Sequence, residues 1–275
     1  MLSAKFHHVP RRSQRCLLAT LSVIIIVKNE AHNVESCLRS VAFADEIIVL
    51  DSGSTDNTVQ IAQALGAKVA VDTDWQGFGI QKNRALALAR FDWVLSIDAD
   101  ERLTPELQSA ICTVLVAPAY AVYSFPRSSS YCGRYMHYSG WYPDRVTRLF
   151  QRQSAKFSED LVHEKIITSH QVGKLQPAML HESFRNFDDV LDKVNRYSSA
   201  GAQNLLKKNK RSSISKAVGH GVWAFVRTYF LRLGLLDGRM GFVLAVSNAE
   251  GTYYRYLKLW LMHLDASNVP PVNEN

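Results

Sequence analysis

LSVIIIVKNEAHNVESCLRSVAFADEIIVLDSGSTDNT, residues 21–58, decides how the rest of the chain is read. It opens on a continuous β-branched run, residues 21–27, of the kind found in a strand covered on both faces. Val34, Cys37, Leu38 and Val41 then recur at helical spacing, which predicts a helix. EIIVL, residues 46–50, reads as a second buried strand. After DSGSTDNT the periodicity turns helical again through Val59, Ala62 and Leu65, with Gly66 placed to cap the carboxyl end. Strands alternating with helices imply a mostly parallel sheet.

Working outward, AKVAV (67–71) predicts a third strand, IQKNRALALAR (80–90) a helix, and WVLSI (93–97) a fourth strand. The expected fold class is α/β, a Rossmann-like, mostly parallel sheet flanked by helices. Ligands bind such sheets at the carboxyl ends of the strands. Lys28, Asn29 and Glu30 follow strand one, Asp51 follows strand two, and Asp98 and Asp100 follow strand four, so acids converge on one edge. Thr104 and Pro105 then read as the N-cap and first residue of another helix.

From about residue 119 the texture changes to aromatics, Gly and Arg, which predicts short strands and loops forming a binding wall. A long helix is expected from 187, with Val190, Val194, Tyr197, Gly201 and Leu205 as its buried stripe and KKNKR as its solvated end. Residues 214–264 contain AVGHGVWAFVRTYFLRLGLL and YYRYLKLWLMHL, which mix Trp, Tyr and Leu with spaced Arg and Lys. That is the texture of a helix lying in a membrane interface, as against an amphipathic helix packed on the core. Arg227 and Arg232 argue against a full span.

At 275 residues and 47% hydrophobic content the chain is long and apolar enough to build a core. A net charge of +7 suggests an anionic partner, whether nucleotide, phosphorylated saccharide, nucleic acid or anionic membrane. Cys16, Cys37, Cys112 and Cys132 form no Cys-x-x-Cys pair, so neither a zinc site nor a disulfide framework is indicated, and a reducing compartment fits. Basic residues before an apolar run imitate a signal peptide. The run leads straight into KNE without a small-residue cleavage site, and it is shorter than the roughly 20 residues of a span, so a strand is the better reading.

Two carboxylates two residues apart at a strand end, Asp98 and Asp100, can share a divalent cation that bridges diphosphate oxygens. Asp51 can accept a hydrogen bond from a base N–H, or it can close an Asx turn in DSGST with Thr55 or Asp56 capping the next helix. Arg145 and Arg148 carry the guanidinium forks that suit phosphates. An adaptor that binds membranes or nucleic acid leaves the gathered acids unexplained. In a haloacid-dehalogenase-like phosphatase the Asp-x-Asp motif follows the first strand, and here it follows the fourth.

VIIIVKNEAHNVESCLRSV, EIIVLDSGSTDNT, GFGIQKNRAL and WVLSIDADERL, in that order, resemble the nucleotide-binding half of inverting family 2 glycosyltransferases with the GT-A fold. GWYPDRVTRLFQR, LVHE and HESFRNFDDVLDKVNRYS look like the bacterial lipopolysaccharide core β-1,4-glucosyltransferase branch. The resemblance implies that Asp51 contacts the nucleotide base, Glu30 lies near the nucleoside, and Lys82 and Asn83 face the donor. It implies Asp98 toward the ribose and sugar, Asp100 as direct ligand of a divalent metal, Mg or Mn, and His181 reaching the metal or diphosphate. It makes Glu164 the expected catalytic base, with Asp160 as the alternative.

The expected organisation is a basic N-terminal extension (1–16), a GT-A catalytic domain (17–186) and a C-terminal helical region (187–275) with membrane contact. The implied reaction moves a hexose, glucose from UDP-glucose, to a heptose of the lipopolysaccharide inner core. A related transferase acting on a polyprenyl-phosphate, capsule or peptide acceptor is the alternative. The implied partners are a nucleotide-sugar donor, a lipid A-linked core oligosaccharide and a membrane surface, with no nucleic acid. The implied place is cytoplasmic, peripheral on the inner face of the cytoplasmic membrane.

Overall fold

The computed structural model describes residues 20–159 and 164–267. The basic extension and Asp160 lie outside the described residues. β1 (Leu21–Val27), β2 (Glu46–Asp51), β3 (Lys68–Val71) and β4 (Trp93–Ser96) stand in the order β3-β2-β1-β4. All three of these pairings are parallel. The strand order reverses between β1 and β4, and that reversal is where an α/β sheet opens a crevice.

The β-branched run in β1 serves both faces of the sheet. Val23, Ile25 and Val27 pack with Leu38 of α1 (Val34–Ser40) and Leu107 of α4 (Pro105–Val116). Ile24, on the opposite face, packs with Ala85 and Ala89 at α3 (Phe78–Leu88). Burying each such side chain contributes about 1.5–3 kcal/mol, so the parallel sheet rests on the alternation visible in the sequence.

Helix ends follow local chemistry. α2 (Thr58–Ala64) closes as a Schellman motif: Gly66 at φ +83° donates to the Gln63 carbonyl, and Ala67 donates to that of Ala62. α4 starts where Thr104 Oγ1 accepts from Leu107 N at 3.2 Å, with Pro105 at its first position.

Beyond α4 the sheet continues as β8 (Asp144–Gln151), β6 (Val122–Tyr131), β12 (Met179–Phe184) and β5 (Glu101–Leu103), and its strands are longer than the composition suggested. β6 (Val122–Tyr131) has ten residues and β8 (Asp144–Gln151) eight. Their serines hid the pattern, because small hydroxyls find partners inside the protein, as Ser124 does on the Gly173 carbonyl at 3.3 Å. β5 (Glu101–Leu103) pairs antiparallel with β12 (Met179–Phe184), with His181 opposite Glu101. β7 (Arg134–Tyr135) and β11 (Val172–Lys174) both pair with β6. β9 (Lys156–Phe157) and β10 (Ile166–Ile167) form a separate small ribbon. Cys37 and Cys132 are free thiols.

The chain divides into two compact units. Of the described residues, one takes in those up to Arg127 and those of Arg145–His181, the other Ser128–Asp144 and those from Glu182 onward. In the second, α5 (Phe187–Lys207) and α6 (Ile214–Val226) both pack on α7 (Gly238–Ser267). The buried residues of α5 are Val190, Ser198 and Ala202, and Tyr197 is 61% exposed, which corrects the expected stripe. Lys258 Nζ of α7 donates to Ser198 and Ser199 at 2.8 Å, so polar contacts and small residues select the face. Asp237, between α6 and α7, accepts from His137 N at 2.9 Å and Ser139 Oγ at 3.0 Å.

Candidate active site

The β1 and β2 loops are laced together by the side chains of DSGSTDNT. Asn29 takes a left-handed conformation at φ 57°, and its Oδ1 accepts from Thr55 N at 2.8 Å. Glu30 N donates to Thr58 Oγ1 at 2.8 Å, and Ala31 N to Asp56 Oδ2 at 3.1 Å. Asp51 is buried at the end of β2, where Oδ2 accepts from Gly53 N and Ser54 N, both at 2.9 Å. Its carboxylate therefore makes the Asx turn expected of DSGST. Glu30 projects from the neighbouring loop and accepts from Asn33 at 2.9 Å.

Strand four ends in a charged cluster. Lys82, 2% exposed, places Nζ 2.8 Å from Asp98 Oδ1 and 2.6 Å from Glu164 Oε1. Arg148 joins Asp98 Oδ2 at 2.6 Å to Glu101 Oε1 at 2.7 Å. It arrives there because β8 runs antiparallel to β4, with Leu149 opposite Leu95, so Arg148, the residue before Leu149, reaches the carboxyl end of β4. Asp100 Oδ2 lies 3.2 Å from His181 Nε2, which β12 delivers through its pairing with β5. Asp98 and Asp100 each keep 32% of their side-chain surface exposed, whereas Glu101 keeps none. The two aspartates are therefore accessible to solvent and the glutamate is not.

Charge within the cluster is unequally shared. Burial would raise the Asp98 carboxyl, but Arg148 and Lys82 hold it far below the usual carboxylate range. Glu101 goes the other way, raised by its burial and by the charges of Asp98 and Asp100 against the pull of Arg148.

Several expected site residues have structural partners instead of open positions. Arg148 is buried, and its Nη2 donates to both the Asp98 and the Glu101 carboxylates. Arg145 is exposed, but its guanidinium donates to the Leu175 carbonyl at 3.1 Å and to Gln176 Oε1 at 3.3 Å. Asn83 exchanges two hydrogen bonds with the Phe157 backbone, both 2.9 Å, and so fastens β9 to α3. Asp98 has each oxygen on a cation, so of the three expected metal-binding side chains only Asp100 and His181 face each other.

Two contributors escaped the sequence reading. Glu101 stood in plain view beside the aspartates, but nothing local announced its burial. Gly79 is the other. A Cβ built on it would lie 1.7 Å from the Ser158 carbonyl oxygen and 3.4 Å from Glu164 Cβ. Only glycine lets the Glu164 segment lie this close to α3, and the glycine in GFGIQKN was the available signal.

The profile of the family described as Glycosyl transferase family 2 matches residues 22–173. An uncharacterized glycosyltransferase of Rickettsia conorii is 34% identical over 93% of this chain and 95% of its own length. The lipopolysaccharide core biosynthesis glycosyltransferase LpsC of Rhizobium meliloti is 30% identical over 88% of this chain and 93% of its own. The structure of S. aureus TarS 1-349 in complex with UDP aligns with a TM-score of 0.48 at 16% identity, covering 90% of this chain and 92% of that one. The chain belongs to glycosyltransferase family 2. It is a glycosyltransferase of α/β fold.

Proposed function

We propose that the protein transfers glucose from UDP-glucose, with inversion, to a heptose of the lipopolysaccharide inner core. The observation that carries this reading is the Lys82 ammonium, which gathers Asp98 and Glu164 at the crevice beside β1 and β4. The acceptor class is supported by the likeness to the lipopolysaccharide core biosynthesis glycosyltransferase of Rhizobium meliloti. Such an acceptor belongs to a membrane surface, the cytoplasmic face of the inner membrane.

In this reading the nucleoside lies over the β1 and β2 loops, against Glu30 and Asp51, and the sugar lies against Asp98. The resemblance to family 2 enzymes implies a divalent ion, and Asp100 with His181 is a donor pair of the right chemistry for Mg or Mn. Among the described residues no cluster of three His, Cys, Asp or Glu offers a cage. One or two protein ligands suffice where substrate phosphates supply the rest. Such an ion would neutralise charge developing on the departing diphosphate.

Glu164 takes the proton from the acceptor hydroxyl as that oxygen attacks the anomeric carbon. Lys82 engages its Oε1, which leaves Oε2 to accept the proton. Arg148 holds Asp98 from behind, so that the acid facing the sugar stays charged and fixed.

The test combines thermal shifts and transfer assays. UDP, in contrast to GDP, CDP and dTDP, raises the melting temperature, and does so only with manganese, because a ligand of the folded state stabilises it. Asp100→Ala keeps the fold, loses that metal-dependent shift, and loses glucose transfer to heptose-terminated lipopolysaccharide by about 100-fold or more. Wild-type turnover in Asp100→Ala with metal present overturns the assignment.

A further inference from the structure

The outward side of α6 and the turn that follows it expose apolar side chains where a water-facing helix carries polar ones. α6 buries Ala217, Gly221 and Ala224, all small, and turns Val218, Val222 and Trp223 out. The chain then passes through a π-helical turn (Arg227–Leu231) and a short 3-10 turn (Gly234–Asp237) before α7. Along these turns Phe230, Leu231, Leu233, Leu235 and Leu236 are all exposed, Leu231 by 63%. Scattered exposed leucines need no explanation, but a contiguous set of this size marks an interaction surface.

The shape is held rather than loose. Asp237 anchors the turn on the backbone N–H groups of His137 and Tyr138 and on the Ser139 hydroxyl, and Ser139 N donates to the Arg232 carbonyl at 2.8 Å. Leu233 sits at φ 57°, a left-handed conformation unusual for a leucine, so an apolar side chain is kept at the tip against backbone preference.

Charge selects the occupant. From Lys193 to Leu236 the sequence contains no carboxylate side chain. Lys216 and Arg227 are exposed on α6 and at its end, and Lys207, Lys208, Lys210 and Arg211 precede it. A second copy meeting this face about a two-fold axis would oppose cation to cation. Anionic headgroups over an apolar layer supply both complements.

We propose that the tip after α6 is the surface by which this chain docks on an anionic bilayer. The exposed leucines and Phe230 sit at the headgroup–acyl boundary, and Lys216 and Arg227 lie among the phosphates. This is adsorption and not a span, and no helix among the described residues is long and apolar enough to cross a membrane.

Cosedimentation of the full chain with vesicles tests it, alongside light scattering in solution. The chain is expected to pellet with phosphatidylglycerol–phosphatidylethanolamine vesicles and weakly with phosphatidylcholine. Leu231→Asp with Leu235→Asp lowers that binding by about 10-fold or more, with circular dichroism unchanged because both side chains are exposed. Lys216→Gln with Arg227→Gln weakens binding to anionic vesicles alone, and added salt reproduces its effect. The proposal is overturned if the wild-type chain binds no vesicle, or if the leucine variant binds as well as wild type. It is equally overturned if that variant only turns a soluble dimer into a monomer with vesicle binding intact, since the tip would then be a self-contact.

Discussion

The end of β4 and the tip after α6 depart from ordinary burial in opposite directions. At the first, Lys82, Arg148 and Glu101 are charged groups withdrawn from water; at the second, Phe230 and four leucines are apolar groups left in it. Neither arrangement follows from stability alone, because burying charge costs free energy and exposing leucine forgoes it. The core between β1 and α1 shows neither departure. The contrast teaches where to look for function in this chain, since both departures concern what the molecule meets and not what holds it together.

The largest break in that contrast is expected at Lys82. Lys82→Met leaves Asp98 and Glu164 without their shared cation, and removing one partner of a buried ion pair costs about 3 kcal/mol. Urea unfolding measures that loss, and, on the role proposed for Glu164, sugar transfer is expected to fall by about 1,000-fold or more. Retained turnover would remove Glu164 from the mechanism. Gly79→Ala follows, because the Ser158 carbonyl must move to admit a methyl group. On the proposed roles of UDP and Glu164, it should lower kcat by about 100-fold while the UDP-dependent thermal shift persists, separating placement of Glu164 from donor binding.

Apolar substitutions sharpen the other side. Ile25→Ala, in the core, is expected to cost about 3 kcal/mol by the cavity it leaves, whereas Leu235→Asp at the tip should leave the melting temperature within a few degrees of wild type. An equal loss from both would mean that the tip is packed in solution.

A smaller effect is expected at Glu46, a buried carboxylate away from the site. Burial alone would raise it, but hydrogen bonds from Lys68, Ser22 and Arg90 bring it down to about 2. The folded protein thus releases this proton more readily than the unfolded chain. The resulting stability is complete above the ordinary carboxylate range and is lost as pH falls through it toward 2. Lys68 and Arg90 are more than half exposed, so Glu46→Gln should cost only about 1–2 kcal/mol at pH 7 and flatten the acid limb of the unfolding curve. Smallest of all, Tyr197→Ser should change stability by less than about 0.5 kcal/mol, as befits a residue outside the buried face of α5.

Much of the nucleotide-facing half was legible because its signals are local. The β-branched run of β1, the Gly66 cap of α2 and the Thr104–Pro105 start of α4 each follow from a few neighbouring residues. The acids at strand ends were readable for the same reason, since strand alternation alone puts Asp51, Asp98 and Asp100 on one edge. The partners of those acids were not readable. Lys82 meets Glu164 across 82 positions of sequence, and Arg148 meets Asp98 across 50. No periodicity spans such distances, so the sequence did not show that Arg148 braces Asp98 and Glu101 or that Asn83 fastens Phe157.

The sequence by itself determined the α/β alternation, the sheet edge where the acids gather, and the resemblance to family 2 glycosyltransferases, because pattern and propensity are properties of neighbours. Tertiary structure decided which of those charges are spent on one another, that Gly79 admits the Glu164 segment, and which face of α5 turns inward. Ion pairing, close approach and burial depend on what the fold brings from elsewhere in the chain, and that information is not written beside the residues it governs.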